Sequence, residues 1–143
     1  MSEQATEKPT RFEPPVTELT TPFWDATRHE QLLLPWCRSC GQPFWFPRET
    51  CPRDLSPDIE WRPAEGGGVV HAVSVMPKPA NPLMAGREPY VVALIDLAEG
   101  VRMMSTVVDG DPWSVGVGDR VVLAWEPLSD GRQLYVFSRD GAG

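Results

Sequence analysis

The spacing Cys37-Arg38-Ser39-Cys40-Gly41, followed ten residues later by Cys51-Pro52-Arg53-Asp54, constrains this chain more than any other feature. Two four-residue corners at that separation bring two knuckles around one tetrahedral metal, the plan of a zinc ribbon. Gly41 suits the tight turn behind the second thiolate, and Pro52 stiffens the other corner. A four-thiolate ribbon would place cysteine at position 54, where this chain has Asp54. Two readings follow. In one, zinc takes a carboxylate oxygen at roughly 2.0–2.2 Å, and the ligands are Cys37, Cys40, Cys51 and Asp54. Such a site is closed and structural, and Arg38, Arg48 and Arg53 are candidates to offset its negative charge. In the other, the ribbon is metal-free and Trp36, Phe44, Trp45, Phe46 and Trp61 supply a small core.

What surrounds the ribbon follows from the breakers. Sixteen prolines and twelve glycines in 143 residues argue against long helices and for short strands joined by irregular loops. Thr21-Pro22 opens one short helix, with Thr21 as N-cap, Asp25 near the positive end, and Phe23, Trp24 and Thr27 on its buried side. Leu32-Leu33-Leu34 and Phe44-Trp45-Phe46 then read as the two arms of the ribbon hairpin. Gly66-Gly67-Gly68 reads as a hinge or linker. Beyond it lie five strands: Val69–Met76, Tyr90–Leu97, Val101–Val108, Arg120–Trp125 and Gln133–Arg139. Five such strands fit a small Greek-key barrel of the OB type, whose closure removes aggregation-prone edges. The expected class is therefore mainly β: a short N-terminal helix, a zinc-ribbon hairpin, then a five-stranded OB-fold barrel. The expected organisation is a flexible tail or partner-binding arm over 1–20, helix and ribbon over 21–64, and the barrel over 65–143.

Charge and residue chemistry narrow the function. The formal charge is −7, and from Glu65 onward six basic residues face ten acidic ones. Tyr90, Trp113, Trp125, Tyr135 and Phe137 would serve as stacking platforms for a single strand, but the basic groove that nucleic acid requires is missing. No stretch of ~18 apolar residues marks a membrane span, and the N-terminus lacks the pattern of a secretory signal. Three cysteines, two of them in Cys-x-x-Cys, suit a metal site in a reducing cytoplasm. His71 falls within an apolar strand and reads as a barrel residue, while His29 reads as solvated. No nucleophile elbow and no phosphate-cradling loop occur, so no catalytic residue is assigned. A stand-alone OB module binding a small molecule or single-stranded nucleic acid is the alternative class.

The order Phe23-Trp24, Leu32-Leu33-Leu34, Cys37-x-x-Cys40-Gly41, Phe46-Pro47, Cys51-Pro52, Gly68-Val69-Val70, Pro89-Tyr90-Val91-Val92-Ala93-Leu94-Ile95, Glu99-Gly100-Val101-Arg102 and Val117-Gly118-Asp119-Arg120-Val121 resembles the DUF35 family over roughly residues 22–138. That family joins a rubredoxin-like zinc ribbon to an OB fold. The resemblance implies a non-catalytic partner of a thiolase-like protein in a hetero-oligomer acting on acyl-CoA, in particular a lipid-transfer-type aldolase of steroid side-chain degradation. A thiolase or an acyl-CoA hydratase is the alternative partner. It further implies structural zinc, and a CoA thioester bound jointly with that partner. Asp54 departs from the family's last cysteine. The partner surface is expected on the Pro-rich loop from Pro77 to Pro89, where Asn81, Leu83, Met84 and Arg87 combine an apolar centre with polar edges.

Overall fold

The structure, a computed structural model, describes residues 13–78 and 86–139. Helix α1 spans Thr21–Thr27, with Pro22 in its first turn. Its N-cap is Thr20, whose carbonyl accepts from Trp24 N–H at 3.0 Å. Thr21, expected as the cap, lies inside the helix and donates its hydroxyl to Thr17 O at 2.8 Å. Asp25 lies past the first turn and faces Arg28 at 3.9 Å. Phe23, Trp24 and Thr27 are the buried residues, as their spacing predicts. Thr27 also fastens the helix to the last strand: its hydroxyl donates to Trp24 O and accepts from Gln133 N–H.

The ribbon hairpin differs from the sequence expectation. Strand β1, Leu33–Cys37, pairs antiparallel with β2, Ile59–Pro63, from Leu33 opposite Pro63 to Cys37 opposite Ile59. Phe44-Trp45-Phe46 is not a strand; it is joined to β1 by Phe44 N–H to Pro35 O at 3.0 Å and by the bridge between Trp36 and Pro43. Pro43 and Pro47 bracket that segment, and neither can donate to a ladder. Ile59-Glu60-Trp61-Arg62 has no proline until its end, so it takes the pairing.

The second sheet has the order β5-β4-β3-β6-β7, with β3 Gly67–Met76, β4 Tyr90–Leu97, β5 Arg102–Ser105, β6 Arg120–Pro127 and β7 Gln133–Arg139. All its strand ladders are antiparallel. It curls into the five-stranded half-barrel of an OB fold. Strand β5 is shorter than predicted because residues 106–108 leave β4 and turn to β7. Phe137 N–H donates to Thr106 O and Val108 N–H to Phe137 O, both at 2.9 Å, across a parallel bridge between Val107 and Phe137.

The glycine run is not a hinge. Gly67 and Gly68 begin β3, and a Cβ on Gly68 would sit 2.7 Å from Ile95 Cγ2 and 2.9 Å from Asp96 O. Only glycine allows the two strands to approach so closely there. His71 also departs from expectation. The register shifts between Val70 and Ala72, which makes His71 the extra residue of a bulge. Val69 therefore points outward while Val73 and Val75 pack on the core, and His71 is exposed rather than inside the barrel. The core comprises Val70, Val91, Ala93, Ile95, Leu97, Met103, Val121 and Phe137, with Phe23, Trp24 and Leu34 entering from the helix and ribbon. No helix among the described residues is long and apolar enough to cross a membrane.

Candidate metal centre

Cys37 ends β1 and Cys40 follows in the first turn; Cys51 and Asp54 occupy a second turn that the chain reaches before β2. The two corners are built alike. Cys37 N–H donates to Gln42 O at 3.0 Å and Gly41 N–H to Cys37 O at 2.8 Å; Cys51 N–H donates to Ser56 O and Leu55 N–H to Cys51 O, both at 2.9 Å. In each corner the first sulfur accepts a backbone N–H, from Cys40 at 3.4 Å and from Arg53 at 3.3 Å. Asp54 thus takes the place in the second corner that Cys40 takes in the first.

The donor set fits zinc. One ligand atom from each of Cys37, Cys40, Cys51 and Asp54 lies within 4.8 Å of the others. Cys40 Sγ and Cys51 Sγ are 3.8 Å apart, and Cys37 Sγ lies 3.6 Å from Asp54 Oδ1. A tetrahedral centre with Zn–S bonds of roughly 2.3 Å needs donors roughly 3.8 Å apart. Electrostatics agree. The Arg53 guanidinium beside Cys40 holds its thiol below the ordinary range, and the same side chain donates to Pro43 O at 2.9 Å. Ser56 N–H, 3.0 Å from Oδ1, holds the Asp54 carboxyl low. Burial pushes the Cys37 thiol up, the cost that a bound cation offsets. Of the three arginines expected around the site, Arg38 turns away to Asp58 and Glu60 at 2.9 and 3.0 Å, and Arg48 is exposed.

The aromatic residues of the metal-free reading divide between two tasks. Phe46 is 60% exposed. Trp45 and Trp61 stack around Phe23, at 5.2 and 6.4 Å between ring centroids, and Phe23 in turn meets Tyr135 of β7 at 5.7 Å. These rings tie ribbon to helix and barrel, while Phe44, 4% exposed, is buried beside β1 of the ribbon.

A rubredoxin-like zinc ribbon domain of the ChsH2 type matches residues 24–60, and the ChsH2 C-terminal OB-fold domain matches residues 61–126. A DUF35 domain-containing scaffold protein of Methanothermobacter thermautotrophicus is 34% identical over 95 residues, 66% of this chain and 71% of that protein. This chain belongs to the DUF35 family. A DUF35 chain in the solved Ltp2-ChsH2(DUF35) aldolase aligns with a TM-score of 0.80 at 30% identity, over 89% of this chain and 98% of that one. A probable enoyl-CoA hydratase alpha subunit of Thermomonospora curvata is 33% identical over 138 residues, 95% of this chain, which spans only 43% of that relative's length.

The other expected positions are dispersed on this DUF35 scaffold. Asn81, Leu83 and Met84 lie outside the described residues. Arg87 donates to Glu126 at 2.8 Å and lines, with Tyr90, Thr106, Trp125 and Glu126, a cleft of about 510 Å³. A second, more apolar groove of about 340 Å³ runs past Phe46, Val92, Met104, Leu134 and Tyr135. Phe137 is wholly buried and Tyr135 is packed among rings, so neither offers a stacking platform; burial pushes the Tyr135 phenol up to about 12. Trp113 is 62% exposed. His71 Nδ1 lies 3.5 Å from Asp96, whose carboxyl Arg102 holds low from 2.6 Å.

Sequence reasoning missed Leu55. It has φ 62, in the left-handed region that Gly41 adopts at φ 73 in the matching corner, and it is 73% exposed. The readable signal was position: each stands directly after the last ligand of its knuckle. A leucine there carries roughly 1 kcal/mol of strain, partly offset by the unfolded-state freedom glycine would regain. Leu55→Gly is expected to raise the melting temperature by about 1–2 °C, read by thermal denaturation of the zinc-loaded protein. A clearly lower midpoint would show that the strain at Leu55 is smaller than the unfolded-state freedom glycine regains.

Proposed function

We propose that this chain is a non-catalytic accessory subunit of a thiolase-superfamily acyl-CoA enzyme, specifically a lipid-transfer-type retro-aldolase that cleaves a β-hydroxyacyl-CoA such as a steroid side-chain thioester. The observation that carries the reading is the alignment with the DUF35 chain of the Ltp2-ChsH2 aldolase over 98% of that chain's length. In this reading zinc held by Cys37, Cys40, Cys51 and Asp54 is structural: it fixes two turns against each other and leaves no position for substrate. The aldol chemistry resides in the thiolase-like partner, and the CoA thioester is bound jointly by the two chains. Two features support a partnered surface. The Arg87–Glu126 cleft offers charge beside the Trp125 and Tyr90 rings. The groove beside exposed Phe46 and Met104 is an apolar patch of the kind interfaces cover. Asn81, Leu83, Met84 and Arg87 are the proposed contact residues of the connecting loop.

A second reading, partnership with an acyl-CoA hydratase, is favoured by the likeness to the hydratase alpha subunit. One experiment separates them. The chain is purified alone and after co-expression with a thiolase-like or a hydratase-like protein, and each preparation is given a β-hydroxyacyl-CoA and an enoyl-CoA. Stable co-purification with the thiolase-like chain and carbon–carbon cleavage only by the pair is the expected result. Hydration by a hydratase pair would support the second reading. Turnover by this chain alone would overturn the accessory role.

A further inference from the structure

We infer that zinc enters and leaves this ribbon through the Asp54 corner, so that the site exchanges metal with solution without unfolding. The inference rests on the four-ligand zinc reading above. Three observations carry it. First, the ligands are unequally covered: Cys37 and Cys51 are 0% exposed, Cys40 is partly covered, and Asp54 is exposed. The neighbouring Leu55 is itself 73% exposed. A competing ligand therefore meets the metal from the carboxylate side, because the buried thiolates close the opposite side. Second, the exposed ligand is the weakest. Zinc holds thiolate sulfur strongly, whereas a carboxylate oxygen is a hard donor shared readily with water. Zinc also accepts a fifth ligand in passing, so an incoming water or chelator can bind before the Zn–O bond breaks. Third, the carboxylate has somewhere to go. Ser56 N–H already sits 3.0 Å from Asp54 Oδ1, so the oxygens that leave the metal keep a hydrogen bond and their charge.

The step is balanced. With zinc held by the four residues, an incoming ligand would supply one donor pair to the metal while Asp54 takes its own pair back as the free carboxylate, and the metal would stay divalent. No proton moves in this first step; the thiolates take up protons from water when they are displaced later. The three thiolates would then hold the metal until they are displaced in turn. The Asp54 corner would therefore set where an incoming ligand first meets the metal, while the three thiolates set how long the metal is kept.

The full chain, loaded with zinc and shown to hold one metal per chain, is mixed with excess 4-(2-pyridylazo)resorcinol, and release is followed by its colour. The same is done for Asp54→Cys. Release from the natural protein is expected to be faster by on the order of tenfold or more, and to be unchanged by low denaturant concentrations. Equal rates in two proteins that each carry one zinc would overturn the inference while leaving the ligand set intact. Should Asp54→Cys not fold, isotopic exchange with zinc-67 in the natural protein decides: exchange no faster than global unfolding overturns the route. Fewer than about 0.1 zinc per chain would overturn the ligand reading and the inference together. X-ray absorption at the zinc edge adds an independent readout, with three sulfurs and one oxygen expected.

Discussion

Replacing Phe23 with alanine is expected to destabilise the folded chain by about 3–5 kcal/mol, the range for a fully buried aromatic truncated to a methyl group. The position justifies the upper part of that range. Phe23 is 2% exposed and touches four other rings: Trp24 at 4.9 Å, Trp45 at 5.2 Å, Tyr135 at 5.7 Å and Trp61 at 6.4 Å. Those rings come from the helix, the ribbon's connecting segment, β7 and β2. The cavity left behind cannot collapse from one side, because each wall belongs to a separately braced element. Chemical denaturation followed by tryptophan fluorescence measures the loss. A second outcome comes from the same curve. The natural protein should unfold in one transition and Phe23→Ala in two, as the ribbon and barrel lose their shared contact. A loss below about 1 kcal/mol would show that the ring cluster is not what joins them.

The second large effect is expected from Cys51→Ala. Cys51 is 0% exposed and supplies one of four donors; its sulfur also accepts Arg53 N–H. Removing it leaves two thiolates and an exposed carboxylate, a set that competes poorly for zinc. Structural zinc in small modules contributes on the order of 10 kcal/mol to folding, so the ribbon should lose both metal and order. The expected result is a fall from one zinc per chain to near none by elemental analysis, with weaker near-ultraviolet dichroism from Trp36 and Trp45. Full zinc content in Cys51→Ala would remove this cysteine from the ligand set.

Much of this architecture was legible because its signals are local. Tyr90–Leu97 is a near-continuous apolar run bounded by a turn signal, which reads as a strand; that Val91, Ala93, Ile95 and Leu97 are the side turned inward appears only in the structure. The knuckles were legible because a metal site fixes ligand spacing within a few residues, and the structure brings Cys37, Cys40, Cys51 and Asp54 together. What escaped was pairing. Phe44-Trp45-Phe46 has strand-like residues, but the prolines beside it decide against a ladder, and its sequence does not reveal that residues 59–63 stand ready as a better partner. The His71 bulge escaped for a similar reason. Val69, His71, Val73 and Val75 alternate without a break, and one inserted residue in the pairing changes which face each valine takes. The change of partner at residues 106–108 is a property of sheet curvature, which no local pattern encodes.

The clasp between the chain's beginning and its end has a consequence for how the whole molecule holds together. Glu13 accepts from both the backbone N–H and the hydroxyl of Ser129, Arg132 donates to Pro14 O at 2.8 Å and lies over the Trp24 ring, and Gln133 N–H reaches Thr27. Each of these contacts spans more than a hundred residues, and bringing such distant points together costs about 4 kcal/mol of chain entropy. That cost arises once. After any one contact has formed, the others close only short remaining loops, so they reinforce one another instead of each opposing the full length of the chain. The segment before the helix, the helix and the turn after β6 therefore behave as one knot, tied or untied as a unit, and the barrel's last hairpin is held by residues from the opposite end of the sequence.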